Sequence, residues 1–131
     1  MQIKAHGLDL ELNLSRPDAE GWMSAAVRVQ VPSTTCRFNC TIEEAEWSSL
    51  VDELRRLEAA IGQSVCGSWE NMEENMAFTF EVEAKGGLSG TYTFSPNNFS
   101  LGPVLSGSFD ANQTFLKAWV AEACAETAHE R

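Results

Sequence analysis

Leu8, Leu10, Leu12 and Leu14 alternate with Asp9, Glu11 and Asn13, the period-two pattern of a strand with one buried face. "RPDAEG", residues 16–21, carries the Pro, Asp and Gly of a turn. A second strand is expected from about Trp22 to Val31, where Val27, Val29 and Val31 alternate with Arg28 and Gln30, and Pro32-Ser33 breaks it. A third runs from Cys36 to about Ile42, placing Cys36, Phe38, Cys40 and Ile42 on one face. The period then changes. Trp47, Leu50, Val51, Leu54, Leu57 and Ile61 fall at helical spacing and predict an amphipathic helix with a core-facing stripe. Thr41 and Glu44 fit a capping box at its start, acids at 43, 44 and 46 suit the positive end of the dipole, and Gly62 fits a stop.

Strands resume after Gln63. "SVCGSWE" is short, and in "MAFTFEVEAK" Phe78, Phe80 and Val82 point inward while Thr79, Glu81 and Glu83 point outward. Gly86-Gly87 signals a hairpin into "LSGTYTF", with Leu88, Tyr92 and Phe94 on one face, and Pro96-Asn97-Asn98 makes a turn. A last strand, about Val104 to Phe109, leads into "SFDANQTFL". Leu116, Trp119, Val120, Ala123 and Thr127 then form a second helical stripe. No internal repeat or linker is visible. The pattern predicts one α+β domain over residues 1–131: a mainly antiparallel sheet of about six to seven strands, with two helices, after strand 3 and at the C-terminus, packed on one face.

Composition adds one departure from the ordinary. Nineteen acids against nine bases give a formal net charge of −10 over 131 residues. Such a chain is repelled by nucleic-acid backbones and anionic membranes, and it speeds the approach of a basic partner. No apolar run is long enough to span a membrane, and "MQIKAHGLDLEL" does not read as a secretory signal, so a cytoplasmic location is expected. Cys36, Cys40, Cys66 and Cys124 then read as free thiols. His6 and His129 lie near the two ends, so no zinc site is expected. The N-x-S/T triplets at Asn13, Asn39, Asn98 and Asn112 are chance matches without a secretory route.

Little else suggests chemistry. No P-loop, HExxH or Gly-x-Ser-x-Gly string occurs, and neither a catalytic residue nor a cofactor is assigned. In "SFDANQTFL" an acid, amides and a hydroxyl crowd together, but Asp110 with Gln113 reads as a capping pair, with Asn112 or Thr114 as alternatives. The remaining candidate is a surface. Glu70, Glu73, Glu74, Glu81 and Glu83 are five acids within fourteen residues with no base among them. If their strands neighbour the one carrying Asp9 and Glu11, the exposed sheet face is an acidic plate; otherwise these are ordinary solvated positions.

Three segments, "TIEEAEWSSLVDELRRL", "FTFEVEAKGGLSGTYTF" and "SGSFDANQTFLKAWV", occur in an order that resembles the WapI-like immunity protein family, over about residues 36–125. Asn112-Gln113-Thr114 stands where that family pattern leads one to expect Asp-Gln-Thr. The resemblance implies a small intracellular protein, not an enzyme, that binds a cognate secreted toxin domain and blocks its active site or its access. A nuclease-type toxin would offer a basic cleft to an acidic surface. Glu70, Glu73, Glu74, Glu81 and Glu83 are then the expected toxin contacts, with Trp69 and Trp22 either aromatic anchors or, equally, core residues. A pocket-using enzyme or ligand-binding protein, or a subunit of a larger assembly, remain the alternatives, and the oligomeric state is open.

Overall fold

The computed structural model describes residues 1–97 and 102–130, with side chains to Glu126; Asn98 and the side chains of Thr127 and His129 lie outside it. Eight strands and two helices follow one another as β1 (Gln2–Ala5), β2 (Leu8–Leu14), β3 (Trp22–Val31), β4 (Thr34–Glu43), α1 (Glu44–Ala59), β5 (Val65–Glu70), β6 (Met76–Val82), β7 (Gly87–Phe94), β8 (Leu105–Asn112) and α2 (Gln113–Glu130). The class is the expected α+β. The count differs, because β1 precedes the leucine strand and the strands divide into two antiparallel four-stranded sheets, β1-β2-β3-β4 and β5-β6-β7-β8. Each sheet is a meander followed by a helix. The architecture repeats although no sequence repeat announces it.

The leucine alternation does what its period dictates. Ile3, Leu10, Val29 and Cys36 form one row across the first sheet, and Leu12, Val27 and Phe38 the next, all on its inner face. That inner face is mainly aliphatic. The inner face of the second sheet is aromatic, with Trp69 stacked on Phe78, Phe78 on Phe80, and Phe109 edge-on to both Phe80 and Trp119. Phe38 meets Phe94 at 6.4 Å, and one continuous core includes residues of both sheets and both helices. Glycine makes room for the rings: a Cβ at Gly90 would collide with the Thr79 carbonyl and lie 2.6 Å from the Phe109 ring.

The helices cross-connect the halves. α1 packs beside β5 and α2 beside β1, so each helix lies against the first strand of the other sheet. The Trp119 indole donates to the Lys4 carbonyl at 3.0 Å, and that of Trp69 to the Glu46 carbonyl at 3.0 Å. His6 and Asp110 exchange two backbone hydrogen bonds, at 2.8 and 3.0 Å, which join the β1 end of one sheet to β8 of the other.

Both helix starts differ from the sequence reading. β4 runs to Glu43, so Thr41 is an exposed strand residue and Glu44 is already helical; the capping box is Glu43 with Glu46, whose carboxylate accepts the Glu43 N–H at 2.9 Å. β8 likewise continues through Asn112. The Asn112 side-chain oxygen accepts the N–H groups of Thr114 and Phe115 (2.9 and 3.3 Å), so α2 is capped by Asn112, one of the alternatives the sequence offers, and not by the Asp110–Gln113 pair.

Candidate functional site

With register fixed, the outward residues of each sheet can be compared. On the first sheet they include Lys4, Asp9, Glu11, Arg28, Arg37 and Glu43. This face compensates itself. The Arg28 guanidinium donates to Glu11 at 3.0 Å and holds that carboxyl below its usual range, and Gln2 donates to Asp9 at 3.3 Å. Asp9 and Glu11 therefore do not join the later acids: they belong to the other sheet and have partners of their own. The condition for a single acidic plate, that these strands be neighbours, is not met.

The strands of the second sheet carry Glu70, Glu81 and Asp110 and not one lysine or arginine. Register brings residues into line that are far apart in sequence. Cys66, Glu81, Ser89 and Asp110 form one outward row, and Ser68, Thr79, Thr91 and Ser108 the next. The Thr79 and Thr91 hydroxyls are hydrogen-bonded at 2.6 Å. The result is a floor of small hydroxyls flanked by carboxylates, with a shallow depression of about 490 Å³ across Cys66, Thr79, Glu81, Ser89, Thr91, Ser108 and Asp110. Glu70, Glu81 and Asp110 are exposed, and none has a hydrogen-bonding or ion-pairing side-chain partner among the described residues. Glu83 is exposed just beyond β6, its backbone N–H still donating to Gly87 at 2.8 Å, so it continues the same face.

Glu73 and Glu74 sit apart, in the turn between β5 and β6, where Glu74 has φ +60°. Two buried side chains shape this turn: the Asn71 oxygen accepts the Met76 N–H at 2.9 Å, and the Asn75 amide donates to the Ser95 carbonyl at 3.0 Å. The Met72 N–H donates to Glu46, which ties the turn to the start of α1. Trp69 is not a surface anchor. It is 7% exposed, stacked on Phe78 and held through its indole N–H, because an indole that is buried needs an acceptor and Glu46 supplies one. Trp22 is half-buried, opposite Glu43. Sequence reasoning assigns Asp110 to a helix cap and does not place it on this face. Only the β7–β8 register places it two strands from Glu81, across Ser89.

The arrangement offers carboxylates without side-chain partners among the described residues, beside a hydroxyl floor. Among the described residues no three His, Cys, Asp or Glu converge as a metal-binding group. Burial, aided by Glu46, pushes the Cys40 thiol up to about 11, which keeps it protonated and a poor nucleophile or ligand. No helix of the described residues is long and apolar enough to cross a membrane.

The model of the immunity protein WapI-like family matches residues 1–129. No curated protein matches. A solved structure, described as the crystal structure of WHY3 from Arabidopsis thaliana, is similar at 11% identity and a TM-score of 0.46, over 98% of this chain and 86% of that one.

Proposed function

The chain belongs to the WapI-like immunity protein family, and from that premise we propose that it binds and neutralises a cognate secreted toxin domain inside the producing cell. The toxin surface it meets is basic and of the nuclease type, since a cleft that holds phosphates is lined with cations. The observation that carries this reading is the outer face of the second sheet, whose strands hold three acids and no base. Carboxylates that have no internal partner keep their full field for a visitor, and a net charge of −10 extends that field into solution.

Glu70, Glu81, Glu83 and Asp110 make the contact, with Glu73 and Glu74 in the neighbouring turn adding to the field. The hydroxyl floor between them can accept hydrogen bonds from lysine or arginine without obstructing their approach. Inhibition is stoichiometric, and neither metal nor cofactor takes part.

Co-expression with the C-terminal domain of the toxin encoded beside it tests this directly. The expected outcome is restored growth and a one-to-one complex that survives purification at moderate salt. Continued killing by a toxin domain that never associates with the folded protein would overturn it.

A further inference from the structure

Four strands lie at sheet edges, and three of them carry polar contacts from other parts of the chain. The Leu12 N–H donates to the Met1 carbonyl at 2.8 Å, so by alternation Gln2 and Lys4 turn their backbone groups away from β2; the Lys4 carbonyl is taken by Trp119, and the bridge from His6 then closes β1 against β8. Gly7 lies against the Ser108 carbonyl farther along β8, where a Cβ would approach to 3.1 Å. On β5, Arg56 donates to the Cys66 carbonyl at 2.8 Å, and α1 runs alongside.

The β4 edge is different. The Glu44 N–H donates to the Gly21 carbonyl at 2.8 Å, which sets the alternation back along β4. Ile42, Cys40, Phe38, Cys36 and Thr34 face β3, whereas Thr41, Asn39, Arg37 and Thr35 present N–H and C=O groups outward. Glu43, next in that series, already has its N–H bonded to Glu46 rather than to β3. Among the described residues the four outward positions have no backbone partner. Natural sheets defend such an edge with proline, bulges or several charges. Here ten register pairs run without a skip, and the strand from Thr34 to Ile42 offers neither proline nor any charge except Arg37.

Both faces of β4 are also incomplete. On the inner face Cys36, Phe38 and Cys40 are half-buried, while their partners on β3, Val29, Val27 and Ala25, are 0%, 3% and 1% exposed. On the outer face Arg37 stands directly opposite Arg28, in a pair whose side chains are close, and the carboxylate of Glu11 is taken by Arg28 and the Asn13 amide.

We propose that the β4 edge receives an extended segment of the toxin as a fifth strand of the first sheet. Its apolar side chains cover Cys36, Phe38 and Cys40, and a carboxylate on its other face pairs with Arg37. A second copy is the poorer occupant, since each copy brings a net charge of −10, and a basic toxin domain relieves that repulsion. This rests on the immunity reading and extends it from the second sheet's face to a backbone-mediated contact on the first.

Asn39→Pro tests it, because the missing N–H is one that β3 does not use, and edge strands accept proline on that side. With the purified toxin domain encoded beside this chain as probe, Asn39→Pro should weaken binding by about tenfold to a hundredfold, while Asn39→Ala stays within about threefold. Amide exchange on the native chain gives a second readout free of any folding defect: Thr35, Arg37, Asn39 and Thr41 should gain protection in the complex. A complex that forms with these four amides still exchanging freely overturns the fifth strand and leaves the immunity reading standing. Protection that appears in the protein alone, rising with concentration alongside a dimer mass, overturns the toxin as occupant. Failure of the native chain to bind the toxin domain overturns both.

Discussion

The two sheets share one plan, four antiparallel strands and a helix, yet their surfaces differ in charge and in how their edges are covered. The strands of the first carry three acids and three bases, equal in number, with Arg28 paired to Glu11. Those of the second carry three acids alone. Their edges reverse the contrast. The second sheet is closed by α1 at β5 and by the His6–Asp110 bridge at β8, while the first is open along β4. A field without internal partners suits fast, orienting encounter; a free backbone edge suits a lasting, register-specific grip. On the proposed reading the chain separates attraction from docking.

The contrast depends on the two halves behaving as one body, and Trp119 is the sharpest place to break them apart. Its ring packs on Phe109 of the second sheet at 5.9 Å while its N–H serves Lys4 of the first. Trp119→Ala removes both, and denaturant unfolding should show a loss of about 3–5 kcal/mol. Should the midpoint hardly move, the sheets are not joined through this ring. A smaller effect distinguishes the residues at the end of β8. Asn112→Ala should cost about 1 kcal/mol, as expected for a lost cap. Asp110→Ala should stay within about 0.5 kcal/mol, because its exposed carboxylate serves no internal partner. Equal losses at the two positions would return Asp110 to a structural role.

What was legible in the sequence was local. Leu8, Leu10 and Leu12 of the leucine alternation, the helical stripe from Trp47 to Leu57 and the Phe78–Phe80–Val82 strand each bury the expected face, because a period of 2 or 3.6 is set by backbone geometry alone. Leu14 is partly buried, and so is Ile61, past the end of α1. β1 is four residues long and returns through a two-residue turn, too short for any period to register. Each cap lay two residues beyond the first-named position because β4 and β8 continue past their last clearly apolar residue, and pairing with β3 and β7, not propensity, decides where they end. The partition into two sheets is a long-range fact. It separates Asp9 and Glu11 from the later acids, and it aligns Asp110 with Glu81, twenty-nine positions away in sequence and two strands away in space. Trp69 shows the limit from the other side: nothing in "SVCGSWE" discloses that the Glu46 carbonyl awaits its N–H.

The measurement that reaches the central claim most directly is the association rate with the purified toxin domain at several salt concentrations. It compares the native chain, Glu81→Lys with Glu83→Lys, and Asp9→Lys with Glu11→Lys. The second-sheet reversal should slow association by about tenfold or more at low salt and flatten its salt dependence, leaving the unfolding midpoint in place. The first-sheet reversal, on a face already compensated, should act far less. Equal slowing by both pairs, or no slowing by the first, would contradict the assignment of steering to the second sheet.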